Sequence, residues 1–186
     1  MRTTGVRVDR ACGAGASRRP RARGFSLIEL MTTVAVLVIS LSLAAPAFTS
    51  FLSSNRLRVA QSEFVASLML ARSEAARQGV RVGVEALQPL ADGGFAHGWR
   101  VWVDADASGS YGSGETIVRE VPARGGALRI TPTPGVRDVV FDPRGFLVAG
   151  AAVTFDVCGQ PGVAQGYRVL LEPVGLSDVT EVTTCP

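Results

Sequence analysis

The sequence predicts an α+β fold: a long N-terminal helix, with a membrane half and an amphipathic half, packed on an antiparallel β-sheet ectodomain. Three observations carry this expectation. Residues 30–55 hold no charged side chain, and residues 30–48 are almost wholly apolar. Residues 54–78 place Leu57, Ala60, Phe64, Leu68, Ala71 and Ala75 three and four apart, which draws one apolar stripe along a helix. Beyond Gly79 the apolar spacing changes to strict alternation, in short runs separated by turn residues.

The chain opens on a basic stretch. Residues 1–24 carry Arg2, Arg7, Arg10, Arg18, Arg19, Arg21 and Arg23 against one acid, Asp9, and the stretch reads as disordered. The whole chain has formal charge +3, and every basic residue is arginine. From Phe25 onward there are 12 arginines and 15 acids, so the basic character belongs to the leading segment. That excludes a nucleic-acid reading drawn from total charge.

The apolar run comes next. Its 19 residues, 30–48, rise about 28 Å as a helix, close to the hydrocarbon thickness of a bilayer. Arg18, Arg19, Arg21 and Arg23 flank it on one side, and only Arg56 and Arg58 begin the other flank. The positive-inside rule places the N-terminus in the cytoplasm and the C-terminal part outside. Glu29, at the edge of the run, reads either as a charge snorkelling to the interface or as a functional carboxylate.

The amphipathic half follows, with Arg56, Glu63, Arg72, Glu74 and Arg77 on its wetter faces and Gly79 as its stop. Pro46 interrupts the long helix and is expected to kink it. Strands are expected at 80–87, 99–103, 116–121, 127–131, 136–141, 146–148, 151–158, 167–171 and 179–183. Turn signals between them include Asp92-Gly93-Gly94, Arg124-Gly125-Gly126, Asp142-Pro143-Arg144-Gly145 and Gly159-Gln160-Pro161-Gly162. The 107 residues after Gly79, with the amphipathic half-helix, suffice for one small core. Trp99 and Trp102 fall on opposite strand faces, so one is expected in the core and the other as an exposed contact. Cys158 and Cys185 form an even pair in the part expected outside the membrane, where a disulfide is the expectation and two core thiols the alternative.

The order Arg23, Gly24, Phe25, Glu29 and then an apolar run resembles the type IV pilin and pseudopilin superfamily. The resemblance narrows to the GspH/FimT group through residues 57–78, the run from Gly98 to Asp104, the strand-turn from Val140 to Gly145, and the late cysteine pair. It implies cleavage between Gly24 and Phe25 by a prepilin peptidase and N-methylation of Phe25. It also implies that Glu29 neutralises the terminal amine of a neighbouring subunit during assembly. The domains would then be a cleaved basic leader, 1–24; a transmembrane and filament-core helix, 25–55; and a periplasmic ectodomain, 56–186, with a helix at 56–78 and a β-rich part at 80–186. Cys12 would leave with the leader. Implied partners are other pilin or pseudopilin subunits, the prepilin peptidase and the bacterial inner membrane.

The function this implies is a non-enzymatic minor pilin or pseudopilin that helps initiate type IV pilus assembly. The alternatives are a GspH-like minor pseudopilin of type II secretion and a FimT-like pilin that binds DNA in natural transformation. A membrane-anchored periplasmic protein outside any filament is a third reading. Resemblance places a Gly-Arg-x-Arg run near the C-terminus of the DNA-binding members, whereas the stretch here is Gly175-Leu176-Ser177-Asp178. Phosphate binding needs clustered cations, and only Arg168 lies near, opposed by Glu172, Asp178 and Glu181, so DNA is not an expected partner.

Two further patterns bear on chemistry. Asp104, Asp106, Ser108, Gly109, Ser110 and Glu115 fit the spacing of a calcium loop, with oxygen side chains at the first, third, fifth and twelfth places and glycine at the sixth. A strand enters this loop where an EF-hand has a helix, so a plain hairpin loop is the favoured reading and no cofactor is expected, calcium being the one weak candidate. His97 is the single histidine and reads as a turn residue at a strand start. One histidine supports no catalytic triad, and no phosphate loop or zinc spacing occurs, so nothing points to an enzyme.

Overall fold

The computed structural model describes residues 24–89, 94–124, 128–133, 135–159 and 166–185, apart from the side chains of residues 44–47. Residues 1–23 of the expected leader and the turn signals at 92–93, 125–126 and 160–162 lie outside the described residues, as does the side chain of Pro46, on which the expected kink rests. The chain divides into two units, Met1–Ala44 and Ala45–Pro186.

Helix α1 spans Leu27–Gln78, 52 residues. Its first part, in the N-terminal unit, is long and apolar enough to cross a membrane. Its side chains there face outward all round: Ile28, Leu37, Val38, Ile39 and Leu41 are each more than half exposed. A helix apolar on every face needs an apolar surrounding, as a bilayer or packed neighbouring helices provide.

The rest of α1 belongs to the second unit and is amphipathic. Leu57, Ala60, Phe64, Leu68, Ala71 and Ala75 are all buried, which is the stripe expected from their spacing. The helix ends where Gly79 takes φ +69° and its N–H donates to the Ala75 carbonyl at 2.9 Å, a left-handed cap that a side chain would strain.

Among the described residues eight strands follow: β1 Arg81–Ala86, β2 Gly98–Asp104, β3 Ile117–Pro122, β4 Arg129–Thr133, β5 Asp138–Phe141, β6 Val153–Cys158, β7 Gly166–Leu171 and β8 Ser177–Val182. They pair antiparallel, as expected, but in two four-stranded sheets, ordered β3-β2-β1-β5 and β4-β6-β7-β8. Residues 146–148 are not a strand; Leu147 makes a single bridge to Phe141. The Leu147 N–H donates to the Pro173 carbonyl at 2.9 Å, so this segment ties two turns together instead of extending a ladder.

Both sheets share one core with the helix. Phe64 meets Phe95, Trp99 and Phe155 edge to face, at centroid distances of 5.2, 5.4 and 4.8 Å. Trp99 comes from β2 and Phe155 from β6, so one helical side chain joins the two sheets. Such aromatic contacts add about 0.5–1.5 kcal/mol each beyond the burial of the rings.

One expectation fails here. Trp99 and Trp102 do point to opposite faces of β2, yet both are fully buried. Trp102 lies against the bare backbone of Gly83, its partner across β1, and Tyr111 from the β2–β3 loop meets it edge to face at 6.0 Å. The loop folds back over the outer face of the first sheet and makes a second, smaller apolar layer there.

Candidate functional site

Two regions carry residues that could act. At the N-terminal end, Gly24, Phe25 and Ser26 precede α1 without regular structure and are exposed. The Leu30 N–H donates to the Ser26 carbonyl at 3.1 Å, which puts Glu29 in the first helical turn. Unpaired N–H groups and the helix dipole favour an anion at that end. Gly24 is exposed, and Phe25 is 71% exposed. Cleavage between them would leave an α-amine four residues from Glu29 on an otherwise apolar surface.

The second region is the β2–β3 loop. Asp104 ends β2 and is almost fully buried, Asp106 is exposed and Glu115 is half-buried; their carboxylate oxygens lie within 4.8 Å of one another. Asp104 Oδ2 accepts the Gly109 N–H at 3.1 Å, and Asp106 Oδ1 accepts the Ser108 N–H at 2.9 Å. Glu115 accepts the N–H groups of Ala105 at 3.2 Å and Gly112 at 2.7 Å. Ser108 Oγ donates to the Ser110 carbonyl at 3.0 Å, and both residues are exposed. Burial holds Asp104 above the usual carboxylate range, and the neighbouring acids Asp106 and Glu115 push the same way. The Ser108 N–H holds Asp106 below it.

Supporting residues of this loop carry little sequence signal. Arg81 of β1 donates to the Ala107 carbonyl at 3.0 Å, and Ala107 itself adopts φ +58°. The Arg100 guanidinium sits 4.2 Å from the Tyr111 ring centroid, a cation–π contact that pins the loop to the sheet. The strand alternation places Arg100, Trp102 and Asp104 on one face, and that alternation is the signal that could have found them.

Elsewhere, Cys158 and Cys185 form a disulfide that ties the C-terminal segment to β6. Arg168 does not stand alone as a phosphate contact: its Nε donates to the half-exposed pair's buried member, Asp156, at 2.8 Å. Glu63, expected on a wet helix face, pairs with Arg119 at 3.1 Å and with Arg124. Arg72, expected likewise, donates to the Gly145 carbonyl at 3.2 Å.

A family model described as type II transport protein GspH matches residues 60–175, and one described as a prokaryotic N-terminal methylation motif matches residues 19–45. The chain is similar to the pilin-like protein PilA1 of Thermus thermophilus, 31% identical over an alignment of 160 residues that covers 77% of this chain and 97% of that one. Among solved structures it is similar to the type IV minor pilin FimU of Pseudomonas aeruginosa. One crystal form gives TM-score 0.61 at 26% identity, covering 73% of this chain and 96% of FimU. A second gives 0.58 at 25% identity, covering 70% and 97%.

Proposed function

This chain belongs to the GspH family of type IV pilin-like proteins, and on that premise we propose that it is a minor pilin that helps initiate type IV pilus assembly. The observation that carries the reading is the joining of two features in one chain. An exposed Gly24–Phe25 bond and Glu29 lead an apolar helix, and that helix continues into a globular unit like that of a minor pilin.

The sequence of events follows from the chemistry. The basic leader holds the N-terminus in the cytoplasm, the apolar half of α1 anchors in the inner membrane, and the ectodomain stands in the periplasm. A prepilin peptidase cuts between Gly24 and Phe25, and the new amine is methylated. The amine and Glu29 are each costly in an apolar medium while unpaired. Pairing Glu29 with the amine of an adjoining subunit removes both penalties and sets the axial register of the helices. The chain supplies surfaces and charges for assembly.

The test uses protein recovered from native membranes and from sheared filaments. Its intact mass should correspond to a chain starting at Phe25 with one added methyl group. Glu29→Ala should leave the protein in the membrane but remove it from the sheared fraction. An uncut N-terminus, or normal incorporation of the Glu29→Ala variant, would overturn the reading.

A second reading, a minor pseudopilin of type II secretion, is favoured by the description of the matching family model. A deletion strain separates the two: loss of surface pili supports the first, and loss of protein secretion with pili intact supports the second.

A further inference from the structure

We propose that the β2–β3 loop is a calcium site, with Asp104, Asp106 and Glu115 as its carboxylate ligands and Ser108 and the Ser110 carbonyl as further oxygens. Two independent observations point to it. The first is linear: acids at the first, third and twelfth places, serine at the fifth and glycine at the sixth. That spacing alone also describes a hairpin loop.

The second is spatial. The fold gathers the three carboxylates within 4.8 Å of one another, from both ends of the loop. Asp104 is 2% exposed, and its Oδ1 is buried with no hydrogen-bond partner. A buried acceptor left unsatisfied is costly, and a cation held among the three carboxylates would satisfy it. Among the described residues none of the three acids makes an ion pair. Arg81 of β1, which reaches the loop, is spent on the Ala107 carbonyl.

The scaffold suits the ion. Asp104 closes β2 and Glu115 lies just ahead of β3, two paired strands, so the first and last ligands are held by the sheet. The Val103 N–H donates to the Thr116 carbonyl at 2.9 Å and extends that pairing to the loop's base. Glu115 is already oriented by two backbone N–H groups, each leaving its oxygen a further lone pair. An all-oxygen set on an irregular loop favours calcium, which accepts six to eight ligands in loose geometry, over magnesium, which demands a tight octahedron. This inference concerns the folded ectodomain and stands apart from the role of the chain in a filament.

The experiment is calorimetric titration of calcium chloride into the full chain in detergent micelles, with emission of Trp99 and Trp102 followed in parallel. The expected result is one site with a dissociation constant of about 10⁻⁴–10⁻³ M, as for extracellular calcium modules. A change in emission is expected too, because Tyr111 of the loop rests on Trp102. Glu115→Gln and Asp106→Asn should each weaken binding at least tenfold. Asp106 is exposed, so its variant keeps the fold even if one at buried Asp104 does not. No heat at 10 mM calcium (roughly tenfold above the weak end of that range) would overturn the proposal. So would unchanged affinity in both variants, or equal binding of magnesium.

Discussion

Gly175→Ala tests how two turns meet on the helix. Gly175 lies between β7 and β8 at φ +77°, and Gly145 follows β5 at φ +80°. The Arg72 Nε donates to the Gly145 carbonyl at 3.2 Å. A Cβ on Gly175 would fall well inside contact with that same carbonyl oxygen and 2.9 Å from Arg72 Nε. The left-handed backbone costs alanine about 1–2 kcal/mol, offset by up to about 1 kcal/mol from a less flexible unfolded chain. Forcing a methyl group against backbone adds about 1–3 kcal/mol. The total is about 2–4 kcal/mol, or a fall in Tm of about 6–12 °C for a unit of this size. Gly79→Ala is the control: φ is +69°, but nothing lies within 4 Å of its Cβ position. It carries the backbone cost alone, about 1 kcal/mol and about 3 °C. Thermal melts of the full chain in micelles, read by tryptophan emission, give both values. Equal shifts for the two variants would refute the close approach of the turns.

Two further predictions follow from the second unit. Replacing Cys158 and Cys185 by serine opens a link spanning 27 residues in sequence. In the chain-entropy model this costs about 3.5 kcal/mol, a fall in Tm of about 10 °C that reducing agent should reproduce in the wild type and not in the variant. Burial raises the pKa of Glu85 above its usual value near 4.5, although Arg137 at 3.0 Å and Arg100 at 3.7 Å oppose it. The native state therefore binds this proton more tightly than the unfolded chain does. Its contribution to stability is fully present below pH 4.5 and is lost as pH rises through the folded value. Glu85→Gln should remove that loss, so wild-type stability relative to the variant should decline with rising pH in denaturant titrations. A relative stability that climbed with pH would contradict the assigned cause.

Much of the architecture was legible because it follows from local periodicity. An uncharged run of bilayer length can be only a few things, and a stripe at helical spacing must be buried against something. The strands at 99–103 and 167–171 were readable from alternation and turn residues, within a residue or so at each end. The expectation at 146–148 failed because Phe146, Leu147 and Val148 have strand propensity but a turn-tying role. Local preference carries no information about the Pro173 carbonyl that Leu147 reaches.

The linear order of residues by itself determined the basic N-terminal stretch, the apolar helix, Glu29 at its head, the buried stripe and the even cysteine pair. These depend on residue type and near spacing, which the chain displays directly. Only the tertiary structure decided that the strands split into two sheets and that Trp102 is covered. It also decided that Glu63 and Arg72 serve the core's rim, and that Asp104, Asp106 and Glu115 converge. Each of these depends on which distant segment comes to lie over a given face. That choice is made by the packing of the whole core around Phe64, and no short window of sequence contains it.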